Sequence, residues 1–176
     1  MSEPHALSGA EVASLLRASA DEIAAEVEAM SDGLACWHPA QAEWCVKECL
    51  GHLIEAERRG FAGRIRFLLE HDDSPTLASW DQAALAQARG DCTADPAALL
   101  GEFREERAAS VALIASLLPD DLARSGDHPQ VGRLTVGEIL PEWVHHDRNH
   151  LKQMLSNVQA FAWQQMGNAR RFSLPH

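Results

Sequence analysis

Apolar residues return at three- and four-residue spacing in four separate stretches of this chain, each bounded by helix start or stop residues. Nowhere do apolar and polar residues alternate over a sustained run. That pattern commits the chain to helices. The first runs from Ser8, paired with Glu11 as a capping box, to Met30, and Ser31-Asp32-Gly33 stops it. Val12, Leu15, Leu16, Ile23, Val27 and Met30 make its apolar stripe. After a loop over 34–42, the second spans Glu43 to His71, with Val46, Leu50, Leu53, Ile54, Phe61, Ile65, Leu68 and Leu69 on its apolar positions. The third opens on Asp95-Pro96, an N-cap followed by proline at the first helical position, and Pro119 ends it. The fourth opens on Thr135 with Glu138 as its capping partner and runs to Trp163. Leu134 and Ile139 form a hydrophobic staple across that cap. Pro141, in the second turn, removes a backbone hydrogen bond and predicts a kink.

Four long helices and two long connections, 72–94 and 119–133, predict an all-α fold, a four-helix bundle. One domain is expected over residues 1–166, followed by a basic, frayed tail over 167–176. Asp72-Asp73-Ser74-Pro75 breaks the second helix, and a short helix is expected at Trp80–Leu85. A connection as long as 72–94 often shapes or covers a site.

Charge narrows the function. The chain carries 26 acidic and 15 basic residues, a formal net charge of −11. Nucleic-acid backbones and anionic membranes both need a basic face, so neither is an expected partner. No apolar run approaches the roughly 20 residues that cross a bilayer. The N-terminal MSEPHALSGAEV is polar and acidic, unlike a secretory signal, so the expected location is the cytoplasm. Cys36, Cys45, Cys49 and Cys92 show no CxxC spacing, which argues against a zinc ribbon or a redox dithiol. Cys45, Cys49 and His52 share one helical stripe. Small, soft side chains filling the core explain it better than a mixed sulfur–nitrogen metal site.

The chemistry concentrates in His145-His146-Asp147-Arg148-Asn149-His150. His146 and His150 are four residues apart and project from one helical face, about one 5.4 Å turn apart. Two imidazoles so placed can hold one divalent metal. With nine histidines in the chain, the spacing alone is weak. His52, near the middle of the second helix, would complete a facial triad with open coordination positions, the mark of a catalytic rather than a closed structural site.

The stretch from Trp37-His38-Pro39 through Glu43-Trp44-Cys45-Val46-Lys47-Glu48-Cys49-Leu50-Gly51-His52-Leu53-Ile54-Glu55-Ala56-Glu57-Arg58 resembles the first signature of the DinB-like superfamily. Thr135-Val136-Gly137-Glu138, followed by Trp143 to Met154, resembles the second, and the likeness runs from about Leu7 to Trp163. The resemblance implies an up-down-down-up bundle that often forms a homodimer. It also implies a divalent metal, commonly nickel or zinc, on three histidines that match His52, His146 and His150; His145 does not match. Three neutral imidazoles also suit iron(II). Relatives of this family include transferases and isomerases that use bacillithiol, mycothiol or glutathione. The resemblance therefore implies metal-activated attack of a low-molecular-weight thiol on a small-molecule electrophile, in detoxification or stress response.

A metal-dependent hydrolase is the alternative, with Glu48, one turn before His52, as general base. A non-catalytic metal-binding or interaction protein, closed by Cys49 or a carboxylate, is the third reading. Glu55 and Glu142 also neighbour the histidines, and pairing with Arg58, Arg59 or Lys47 is the simpler expectation for the acidic residues. Asp147, next to a candidate ligand, points some 100° away from it. Arg58, Arg59, Arg64 and Arg66 could meet an anionic thiol, though a helix-surface role is simpler; Trp37, Trp44, Trp80 and Trp143 could line a pocket or fill the core; and His128 sits in a Gly/Pro loop.

Overall fold

A computed structural model describes residues 5–71 and 74–173. Met1–Pro4, the helix break expected at Asp72-Asp73, and Leu174–His176 of the tail lie outside the described residues. Helix α1 is Gly9–Ala29, opened by the Ser8–Glu11 capping box. The stretch read as a loop holds one helical turn, Asp32–Ala35, started by the Ser31 side chain. Helix α2 is continuous over 46–70, but it changes pitch: Val46–Glu55 and Ala62–Glu70 are α-helical, and Ala56–Phe61 between them is π-helical. Gly63 permits this, since a Cβ there would collide with the Arg58 carbonyl oxygen. Helix α3 is Gln82–Arg89, capped by Asp81 and ended by Gly90 in the left-handed conformation. Asp95 caps α4, Pro96–Ser116. Helix α5, Val136–Gln165, starts with the Thr135–Glu138 capping box and runs through Pro141 without a break.

The apolar core divides into two clusters, one at each end of the bundle, and these give the sense of each long helix. Val12 and Leu16 from the start of α1 meet Ile65 and Leu68 from the end of α2, Ile114 from the end of α4, and Val136 and Ile139 from the start of α5. At the other end Ile23 and Val27 meet Val46 and Leu50, Leu99 and Leu100, and Leu151 and Met154. The four long helices therefore run up, down, down, up. α1 and α2 each pack along both α4 and α5.

The connection 119–133 holds a turn and a short hairpin. Pro119–Ala123 is a 3-10 turn, and Ser125–His128 (β1) pairs antiparallel with Gly132–Thr135 (β2). Four-residue strands with the half-buried pattern of β1 are too short to give a periodic signal. The hairpin fastens the incoming chain: Leu77 N–H donates to the Asp127 carbonyl at 2.9 Å, and Asp127 N–H to that of Pro75 at 2.9 Å. Gly167–Ser173 winds as a 3-10 helix, with Arg170 donating to the Trp163 and Gln164 carbonyls. Among the described residues, no helix is long and apolar enough to cross a membrane.

Candidate metal centre

His52 on α2 faces His146 and His150 on α5 in the middle of the bundle. His52 Nε2 and His146 Nε2 are 3.0 Å apart, and one ring nitrogen from each of the three lies within 4.8 Å of the others. Two nitrogens bound at about 2.0–2.1 Å to one ion, at 90–110°, stand roughly 2.9–3.4 Å apart, so the separation fits a shared cation. His150 Nδ1 meets Gln153 Oε1 at 3.0 Å and, as the protonated nitrogen, donates there, which leaves Nε2 with its lone pair free. His146 Nδ1 is buried with no hydrogen-bond partner among the described residues.

Aromatic rings wall the site. The Trp44 ring lies 4.9 Å from His52 and 6.3 Å from His150, Trp80 stacks on His52 at 5.9 Å, and Phe61 sets its edge to His146 at 5.0 Å. This dry setting disfavours charge. Burial lowers His52 to about 4 and His146 to about 3, the neighbouring imidazoles adding to both. Burial also lowers His150, against the pull of Gln153 and Asp147. At neutral pH all three are neutral imidazoles, the form that binds metal.

Beneath the triad lies a buried charged network. Arg107 of α4 is 2% exposed. It forks onto Asp147 at 2.7 and 2.9 Å, reaches Glu57 Oε1 at 2.9 Å, and donates to the Leu16 carbonyl at 2.6 Å. Trp143 Nε1 also donates to Glu57, at 3.1 Å. Burial raises the Glu57 carboxyl, and Arg107 opposes that rise. Asp147 thus points into the core while its neighbour His146 points into the site.

The other candidates separate clearly. Glu48, expected one turn from His52 as a base, instead caps its own helix: one oxygen accepts the Cys45 N–H at 2.9 Å and meets His38 Nε2 at 2.8 Å. That oxygen serves the N3 position of a capping box. Glu55 pairs with Arg59 and Arg89, Arg58 with Glu102 and Glu106, and Lys47 with Asp32. Cys49 is packed in the apolar core, where burial pushes its thiol up to about 12. Trp37 packs on Phe161, and Trp143 stacks on Phe61, the ring whose edge meets His146. Glu142, one turn before His146, has its carboxyl raised by burial against the pull of Arg64 and His145.

The long connection walls a cavity. Gly51 lets it dock, because a Cβ there would collide with the Asp91 carboxylate. A cavity of about 370 Å³ opens between α2 and residues 76–80, lined by Arg58, Arg59, Arg64, Phe67, Leu77 and Trp80 among others. Trp80 is the shared wall between this cavity and His52. Arg64 has one guanidinium nitrogen 3.0 Å from His128 Nε2, while its buried Nε has no partner among the described residues.

Comparison with known proteins agrees with this architecture. The model of the DinB superfamily matches residues 15–154. The Bacillus subtilis (strain 168) protein YfiT is 24% identical over 139 residues, covering 78% of this chain and 76% of its own. The solved YfiT structure, described as a probable metal-dependent hydrolase with an unusual four-helix bundle topology, superposes with a TM-score of 0.80 at 20% identity, over 93% of this chain and 94% of that one. A mycothiol-dependent maleylpyruvate isomerase superposes with a TM-score of 0.70 at 14% identity. The match covers 88% of this chain but spans only 63% of that enzyme's length.

Proposed function

Because the chain belongs to the DinB superfamily, we propose that it is a metal-dependent enzyme of small molecules, with His52, His146 and His150 holding one divalent cation. The observation that carries this reading is the meeting of three neutral imidazole nitrogens, from two helices, inside an aromatic wall. Among the described residues, no cysteine or carboxylate joins that group as a fourth ligand. Such a site keeps coordination positions for a nucleophile, unlike the closed set of a structural ion. The cation, nickel or zinc by donor type with iron(II) also suited, would supply Lewis acidity that lowers the pKa of the nucleophile.

The chain's own residues do the remaining work. Trp44, Trp80 and Phe61 exclude water around the imidazoles. The cavity past Trp80 offers Phe67 and Leu77 to an apolar group and Arg64 to an anionic one. The preferred nucleophile is a low-molecular-weight thiol of the bacillithiol, mycothiol or glutathione type, attacking a small electrophile. A soft thiolate suits this donor set, and its activation needs no carboxylate base beside the imidazoles. The hydrolytic reading rests on the likeness to YfiT. It needs a carboxylate base beside the triad, for which Glu48 and Glu142 are the candidates.

Metal analysis of untagged protein, beside a His146→Ala, His150→Ala variant, tests the centre. Near one cation per chain, lost in the variant, is expected; no cation after incubation with nickel, zinc and iron(II) would overturn it. Thiol dependence then decides the nucleophile. Turnover of a model electrophile that requires added thiol supports transfer. Thiol-independent ester or amide cleavage with a bell-shaped pH profile supports hydrolysis instead.

A further inference from the structure

A second set of metal-ligating atoms lies just past Trp44. One ring nitrogen of His38 and the sulfurs of Cys45 and Cys92 all lie within 4.8 Å of one another. We propose that these three residues form a second site for a soft divalent cation of the zinc class, with one position left to water, separate from the histidine triad and independent of the function read there.

Two thiolates and one imidazole are a donor set for zinc that leaves a fourth position open. Tetrahedral zinc holds sulfur and nitrogen ligands roughly 3.5–3.8 Å apart, so a 4.8 Å ceiling leaves at most about 1 Å to close by side-chain rotation. The three ligands come from three segments. His38 follows the turn Asp32–Ala35, Cys45 is the N-cap residue of α2, and Cys92 sits in the 3-10 turn Asp91–Thr93 that leads to α4. None of these segments shares a regular ladder with another, and a cation here ties all three together.

The surroundings are those of a ligand set. Glu48 binds His38 Nε2 at 2.8 Å, the carboxylate–histidine pairing that orients an imidazole and leaves its Nδ1 for a metal. The Lys47 ammonium is buried at the same helix end, held by Asp32 at 2.7 Å and the Ala94 carbonyl at 2.9 Å, and its charge reaches Cys92. Cys45 is fully buried, Cys92 half-buried and His38 exposed, so the site opens to solvent on the histidine side and water completes the tetrahedron. Cation binding would release the two thiol protons, forming two metal–sulfur bonds without a redox change. No CxxC spacing announces such a site, because its ligands are remote in sequence.

Cobalt(II) titration tests it on reduced, oxygen-free protein carrying His146→Ala and His150→Ala. The expected result is one further equivalent bound, with an intense near-ultraviolet band from sulfur-to-cobalt charge transfer. The band is lost on adding Cys92→Ser and weakened by His38→Ala, both at exposed or half-exposed positions that leave the helical circular dichroism unchanged. Should the histidine variant not fold, wild type is expected to take up two equivalents of zinc and Cys92→Ser one. The absence of a thiolate band, or its survival in Cys45→Ser, Cys92→Ser protein, overturns the proposal. So does a pair of thiols that oxidise together but take up no metal once reduced; that result assigns them to redox chemistry.

Discussion

Replacing Arg107 with methionine isolates the buried network. Methionine keeps the length and apolar stem of the arginine but removes the guanidinium. That group makes two contacts to Asp147 and further bonds to Glu57 and the Leu16 carbonyl, with Arg107, Glu57 and Asp147 at 2%, 1% and 0% exposure. The change strands two carboxylates in a dry interior. Removing one partner of a buried ion pair costs about 3–5 kcal/mol. A chain of this size loses roughly 2–4 °C of Tm per kcal/mol, so Tm is expected to fall by about 6–20 °C. Urea denaturation followed by circular dichroism at pH 7 gives the free energy, and calorimetry the Tm. The reasoning also requires rescue: adding Glu57→Gln and Asp147→Asn to Arg107→Met is expected to recover at least half of the loss, because the stranded charge is then gone. A loss below about 1 kcal/mol, or no recovery on neutralising both carboxylates, would refute it.

Three other expectations follow from the site. Metal-free protein should weaken in mild acid, because the His52 folded-state pKa of about 4 lies below its ordinary 6.5. Its contribution is fully present above pH 6.5 and is lost as pH falls toward 4. Between pH 7 and 5 His52 alone removes about 2 kcal/mol. Urea midpoints at the two pH values check this against His52→Gln, whose pH dependence should be flatter by that amount. Trp80→Ala exposes one face of the His52 ring and should raise its pKa toward 6.5, with little loss of stability because Trp80 is only half-buried; an unchanged NMR titration midpoint would count against the wall. Gly51→Ala forces a methyl into the Asp91 carboxylate and should cost about 1–3 kcal/mol by chemical denaturation. A neutral result would mean that the connection docks elsewhere.

What the sequence made legible follows from local rules. Both capping boxes and the Asp95-Pro96 start lie where their residues place them, because caps are settled within four residues. The grouping of His146 with His150 follows from helical spacing, and the depth of His52 along its helix places it opposite. What was not legible has separate causes. Glu48, expected as a base, also sits at the N3 position of a cap whose Cys45 start is not among the usual cap residues. The hairpin is too short to leave a period. Glu57, Arg107 and Asp147 read as ordinary helix-surface charges, since nothing local says that they face each other across three helices. One signal was available: Glu57 and Asp147 interrupt otherwise apolar helix faces.

The network and the triad are coupled by helix rotation. His146 and Asp147 are neighbours, so their side chains leave α5 about 100° apart. With Asp147 forked to Arg107, His146 can face only the site. On α2 the same guanidinium holds Glu57, five residues after His52 and inside the π-helical segment, and so fixes the rotation of that helix too. One arginine therefore sets the facing of both helices that carry the imidazoles. Lysine in its place keeps the charge but cannot fork onto a carboxylate and still reach a second one. Arg107→Lys is accordingly expected to retain most of the stability that Arg107→Met loses, yet to bind the triad's cation more weakly, since α5 is no longer held in rotation. Competition with a chelator of known affinity reads the difference. An Arg107→Lys protein with unchanged metal affinity would show that the imidazoles are positioned by the apolar core alone.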